Sequence, residues 1–230
     1  MYGTLIAIAG TGLILLVGEL LWKKKILKGE YARKFVHILT ASFAAFWPMF
    51  MSRNYIVLLS ILFMVVLVVA KKLQIFNAIR GVRRTSYGEL LYALAIGLCA
   101  IFFTVKGMYA IAVLHIALAD GFAAIIGITM SHRASRFTFN GSTKSVEGSL
   151  TFLLISFFLN ATYWVGGFSP HTFNSRLMFL IPLYSLLTAV FLAILEIISP
   201  KGSDNILVPM ASGIALWLPF ALFGSTVLFS

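Results

Sequence analysis

Apolar runs long enough to cross a lipid bilayer, broken only by short charged joints, constrain this chain more than any other feature. Gly3 to Trp22 is apolar except for Glu19. A bilayer's hydrocarbon core needs about 20 such residues in a helix, and several later runs approach or exceed that length. Lipid cannot hydrogen-bond exposed backbone, so each run must satisfy its own amides as a helix. The composition agrees. Among 230 residues, 60% are hydrophobic and only 11% charged, with a mean hydropathy of +0.99. The sequence therefore predicts an all-α polytopic transmembrane helix bundle in one domain, residues 1–230, with about eight spans. Their expected limits are 3–22, 35–51, 55–70, 88–105, 108–130, 148–165, 177–198 and 206–228.

The basic residues give this segmentation a sign. Fifteen of the 18 Lys and Arg residues fall in alternate joints: 23–34, 71–87, 131–147 and 199–205. The other joints hold only Arg53, Lys106 and Arg176. The positive-inside rule then puts the basic joints in the cytoplasm and both termini outside. Lys23, Lys24 and Lys25 follow the first apolar run instead of preceding it, so that run reads as a span and not a cleaved signal. A net charge of +11 in such a chain fits topology and contact with anionic membrane lipids. No nucleic-acid motif accompanies it, and nucleic acid is not an expected partner. The lone Cys99 excludes an intramolecular disulfide and a cysteine-based zinc site.

The seven acids carry the functional signal. Glu19 precedes Lys23 by one helical turn, which suits an ion pair. Glu30, in a basic joint, is expected to be solvated. Asp120 sits mid-span in HIALADGFAAIIG, where a lipid-facing acid costs about 2.5–3.5 kcal/mol. It should face the bundle interior, and Ala117, Gly121, Ala124 and Gly127 leave room there for a neighbouring helix or a ligand. Glu196 ends an apolar run and also wants a partner. Asp204 suits either a site or the N-cap of the last span. Glu89 completes Ser86-Tyr87-Gly88-Glu89, which also reads as a capping box.

By the expected topology Glu89, Glu147, Glu196 and Asp204 lie at the cytoplasmic face, with Asp120 partway below it. Arg33, Lys34 and His37 start span two on the same side, with His37 one turn beyond Arg33. The polar stretch Asn140 to Ser149, NGSTKSVEGS, joins them. Gly141 and Gly148 permit close backbone approach, Ser142, Thr143 and Ser145 offer hydroxyls, and Lys144 offers charge. The stretch leads into a helix N-terminus, where free amides favour anions. It is not a Walker A loop, because its glycine spacing differs. Hard oxygen ligands beside phosphate-binding groups suit Mg²⁺. His115 lies about 140° around the helix from Asp120 and reads as structural. The sequon at Asn160 lies too near the membrane to signal glycosylation.

These segments resemble the polyprenol kinase family, which includes dolichol kinases, phytol kinases and the CTP-dependent diacylglycerol kinase. The matching residues are RKFVH at 33–37, YGELLY at 87–92, ADGFAAIIG at 119–127, KSVEGS at 144–149, and Glu196 with SDNILVP ending at Pro209. They run in the family's order from residue 33 onward. The resemblance implies phosphoryl transfer from a nucleoside triphosphate, typically CTP, to a long apolar alcohol, with a divalent cation. In that frame Asp120, Lys144, Glu196 and His37 are the catalytic candidates. Arg33, Lys34, Ser142, Thr143, Lys144, Ser145, Gly148 and Asn205 would bind nucleotide or phosphate. Asp120, Glu147 and Asp204 would hold Mg²⁺, and Glu89 would support the site. Glu196 or His37 would take the alcohol proton. Family members similar to phytol kinases often carry Gly before the Asp matched by Asp120, and a second Asp where this chain has Ala124. The expected partners are a lipid alcohol, a nucleoside triphosphate and membrane lipids, and a prokaryotic inner membrane suits the length. The alternatives are a CTP:phosphatidate cytidylyltransferase-like enzyme, a transporter using Asp120 in an ion path, and a lipid-binding scaffold without catalysis.

Overall fold

The computed structural model describes residues 2–73, 88–130, 135–166, 178–200 and 202–228. Each of the eight expected spans corresponds to a helical segment. The order is α1 (Tyr2–Lys23), α2 (Gly29–Ala45), α3 (Arg53–Leu73), α4 (Gly88–Phe102), α5 (Lys106–Leu114), a π-helical stretch (His115–Asp120), α6 (Gly121–Thr129), α7 (Val146–Val165), α8 (Leu180–Ile198) and α9 (Asp204–Leu228). Among the described residues six helices are long and apolar enough to cross a membrane: α1, α3, α5 continuing through α6, α7, α8 and α9. At 15 and 17 residues, α4 and α2 are shorter. A 15-residue helix reaches about 22 Å, below the roughly 30 Å of hydrocarbon. Pro48, in a short 3₁₀ turn over Trp47–Met49, follows the end of α2.

One departure from an all-α chain precedes α7. Strand β1 (Arg136–Phe139) pairs antiparallel with β2 (Ser142–Ser145), with Phe137 opposite Lys144 and Thr138 opposite Thr143. Asn140 and Gly141 take φ of 46° and 73°, the two left-handed positions of a hairpin's tight turn. The stretch beginning at Asn140 is thus a turn and a strand, not an open loop. The Asn-Gly pair carried that signal in the sequence.

Size is sorted in the sense a lipid solvent demands. Many large apolar side chains point outward, among them Leu13, Leu16 and Leu20 on α1, Leu154 and Phe158 on α7, and Leu187 and Phe191 on α8. Small ones pack between helices: Ala41, Ala44, Ala95, Ala110, Ala117 and Ala189 are all 1% exposed or less. Lipid tails are as apolar as leucine, so helices associate through close backbone packing and gain little from hiding bulk. At Gly121 an added Cβ would sit 2.3 Å from Ile38, and at Gly97 2.3 Å from the Ser60 hydroxyl. The α5–π–α6 segment runs through the middle, 56% buried against 17% for α1. It packs on α2, α7 and α9. Asn160 is fully buried in α7, which removes the sequon from consideration.

Candidate active site

The π-helical stretch ends at Asp120 and is the local feature that aims it. Widened turns of this kind insert an extra residue, and one residue rotates everything beyond it by about 100° relative to a regular helix. Asp120 meets α2, where Lys34 donates to its Oδ2 at 2.5 Å. His37, one turn along α2, places Nε2 at 3.5 Å from the same oxygen and 3.1 Å from the Ile116 carbonyl. A carbonyl only accepts, so Nε2 carries the hydrogen. The Tyr92 ring lies 4.6 Å from the His37 ring, and its hydroxyl donates to Thr40.

The hairpin presents the second lysine. Lys144 Nζ donates to Glu196 Oε1 at the end of α8, and to Asp204 Oδ2, 3.1 Å away, at the start of α9. Asn140 anchors the turn by donating from Nδ2 to the Ile198 carbonyl at 2.8 Å. Burial alone pulls the Lys144 ammonium's pKa down, but the Asp204 and Glu196 carboxylates outweigh it, and the net shift is upward. Lys144 is therefore a cation throughout the physiological range.

Carboxylate oxygens of Asp120, Glu196 and Asp204 all lie within 4.8 Å of one another. At that spacing each pair of negative charges repels by roughly 3 kcal/mol for an effective dielectric near 20. Two lysines do not saturate the group. Glu196 is only 4% exposed, and its Oε2 has no hydrogen-bond partner among the described residues. A buried carboxylate oxygen without a partner, amid other hard donors, fits a divalent cation. Ala119, Ala123, Leu192, Ala193 and Val208, each within about a turn of one of the three acids along its helix, pack with Phe152 of α7 in an apolar cluster.

The cluster borders a cavity of about 620 Å³. Asn205, Glu89, Ser142, Thr143, Ser145 and Gly148 also line it, as do Arg33, Lys34, His37 and Lys144. Ends of α2, α4, α8 and α9, together with α6 and the hairpin, thus meet at one end of the bundle. The amide of Asn205 ties α9 to α4 by donating to the Gly88 carbonyl at 3.0 Å. Residues 86 and 87 of the expected capping box lie outside the described residues.

Several expectations change. Glu147 is absent from the cavity lining among the described residues; its Oε1 accepts from the Ser135 amide at 3.2 Å. Glu196, one of the expected proton acceptors, takes its place beside Asp120 and Asp204. The Ser145 hydroxyl caps α7, accepting from the Gly148 amide at 3.0 Å, so its lone pair is engaged within the fold. Gly148 uses its bare backbone against protein: a Cβ there would lie 2.9 Å from both the Ala123 carbonyl and Ser145 Oγ. Thr143 faces Thr138 at 3.4 Å between hydroxyls. Glu30, expected in solvent, pairs with Arg33 at 2.7 Å and lines the cavity. Arg136, counted in sequence only as a topological charge, also lines it. Ala124 contributes a methyl to the wall. His115 is fully buried against Ile111 and Ser212.

Over 210 residues the chain is 31% identical to a phytol kinase from Synechocystis sp., a match covering 90% of this chain and 86% of that protein. No family model and no solved structure matches it.

Proposed function

The chain belongs to the polyprenol kinase family, and from that premise we propose that it transfers the γ-phosphoryl group of CTP to a long-chain isoprenoid or lipid alcohol at the cytoplasmic membrane face. One observation carries the reading beyond family membership. Three carboxylates and two lysines converge on a single cavity at one end of an apolar bundle.

Phosphoryl transfer asks little covalent chemistry of a protein; it asks for alignment and charge neutralisation. Lys144, Arg33, Lys34 and Arg136 are the cations lining the cavity among the described residues, and they hold the triphosphate. Asp120 and Asp204 would hold Mg²⁺, which would supply charge neutralisation for the transfer. Asn205 and Glu89 position groups at the rim. The alcohol oxygen bonds to the γ-phosphorus while the bond from that phosphorus to the β–γ bridging oxygen breaks, releasing CDP. Glu196 takes the alcohol proton on its carboxylate. His37 is the poorer acceptor, since Nε2 already carries a hydrogen toward Ile116. The acceptor's tail lies among the bundle's apolar helices, with only its hydroxyl reaching the charged end.

The test is an alcohol panel of phytol, farnesol, polyprenols and diacylglycerol, offered with α- or γ-labelled CTP and with γ-labelled ATP. Label from the γ position of CTP should enter the organic phase. Label from the α position would instead mean nucleotidyl transfer. An unlabelled organic phase with every acceptor would end the kinase reading.

A further inference from the structure

Both proposed cation ligands already carry an ammonium group. Lys34 sits on Asp120 at 2.5 Å and Lys144 on Asp204 at 3.1 Å, with Lys144 also on Glu196. We propose that Lys34 and Lys144 are the resident counter-ions of this cation site, and that a divalent cation displaces them only when a triphosphate is present to receive them. The proposal rests on the kinase reading of the cavity and deepens it: metal and nucleotide bind as a pair.

Three acids with oxygens within 4.8 Å of one another define a space that one ion fills, and the two lysine Nζ atoms bind at its border. The unpartnered Glu196 Oε2 marks a vacancy for charge that the lysines leave unmet. A divalent cation entering alone must push two ammonium groups off their carboxylates with no new anion to receive them; the Lys34 side chain is 7% exposed and that of Lys144 is 16% exposed. Displaced, the ammonium groups need anions. Of the other acids lining the cavity, Glu30 is already paired with Arg33. Triphosphate oxygens meet that need. A lysine ammonium is a compact charge with three donors on a flexible stem, so it can swing from a carboxylate to a phosphate without moving its helix or strand.

A triphosphate arriving alone has the opposite difficulty. It finds Lys34 and Lys144 neutralised and three carboxylates lining the cavity. Each ligand thus builds the other's site, and the gain in affinity must be the same in both directions. A site of this kind ignores free Mg²⁺ and metal-free nucleotide alike, and closes its chemistry to either alone.

Mn²⁺ is the probe, because it suits the same hard oxygens. Bound Mn²⁺ is measured by electron paramagnetic resonance on purified protein at buffered free Mn²⁺, with and without a non-hydrolysable CTP analogue. Wild type should bind Mn²⁺ at least tenfold more tightly with the analogue. Without it, Lys34→Met and Lys144→Met should each bind Mn²⁺ at least tenfold more tightly than wild type, while Lys144→Arg, which keeps the charge, should not. Equal Mn²⁺ affinity of wild type with and without analogue overturns the proposal, and so does weaker Mn²⁺ binding by both Met variants. The wild-type arm stands even if a variant fails to fold. Label transfer without coupling sinks the exchange alone. Coupling without label transfer to any alcohol leaves the exchange standing and sinks the kinase reading.

Discussion

Lys34 and Lys144 reach one carboxylate cluster from unlike scaffolds. Lys34 stands on a helix, is 5% exposed, and meets the single carboxylate of Asp120. Lys144 stands on a two-stranded hairpin whose turn is tied to the end of α8 by Asn140, and it meets two carboxylates, Glu196 and Asp204. The first pair lies between helices α2 and α6 at the junction with the π-helical stretch, so breaking it strands a buried charge. The second lies where polar segments cover the bundle's end, and its scaffold is only eight residues of strand. The comparison teaches that equal ion-pair chemistry divides into a share of stability and a share of adaptability, according to what holds the lysine.

The largest expected effect removes what the two lysines share. Asp120→Asn should lower kcat by roughly 10³-fold or more, on the scale of losing a preorganised charge at a reacting centre, while the protein still elutes as a folded species in detergent. Near-normal turnover would take the cluster out of the chemistry. Next comes the contrast itself. Lys144→Ala should cost about 10²-fold in kcat, with a smaller fall in melting temperature than Lys34→Ala. Lys34→Ala should lower stability by about 1–3 kcal/mol, because it leaves the Asp120 carboxylate, with only His37 beside it, without its ammonium. Thermal unfolding of both in one detergent checks the ranking, and a reversed order breaks the comparison.

A milder test acts on the hairpin alone. Gly141→Ala places a side chain at φ +73°, at a cost of about 1–2 kcal/mol in the left-handed region. It should raise the nucleotide KM about tenfold and leave the helices' unfolding temperature unchanged. An unaltered KM would mean that Lys144 does not need its turn. The smallest expected effect is Tyr92→Phe, which removes the bond to Thr40 but keeps the ring against His37. Stability should fall by about 0.5–1.5 kcal/mol and kcat by less than threefold. A large kcat loss would give the Tyr92 hydroxyl a direct part near the site.

The sequence by itself determined the helices, their order and the helix ends that carry charge. These follow from local terms: apolar run length, backbone satisfaction in lipid, and the cost of a charge within a span. It also singled out Asp120, Lys144, Glu196 and Asp204, because an acid or lysine in so apolar a chain needs a reason. The hairpin was equally legible in Asn140-Gly141 between short polar strands, a signal outweighed by the likeness of Asn140 to Ser149 to a phosphate loop.

Only the tertiary structure decided who meets whom. It set Glu196 beside Asp120 and Asp204 and turned Glu147 toward Ser135. It spent the Ser145 hydroxyl on a helix cap and brought Arg136 and the Glu30–Arg33 pair to the cavity wall. The physical reason is angular. Along a helix one residue is about 100° of rotation, so a single π-type widening before Gly121 redirects every side chain beyond it. Partners for a buried charge are chosen by the packing of whole helices, which no local stretch of sequence encodes.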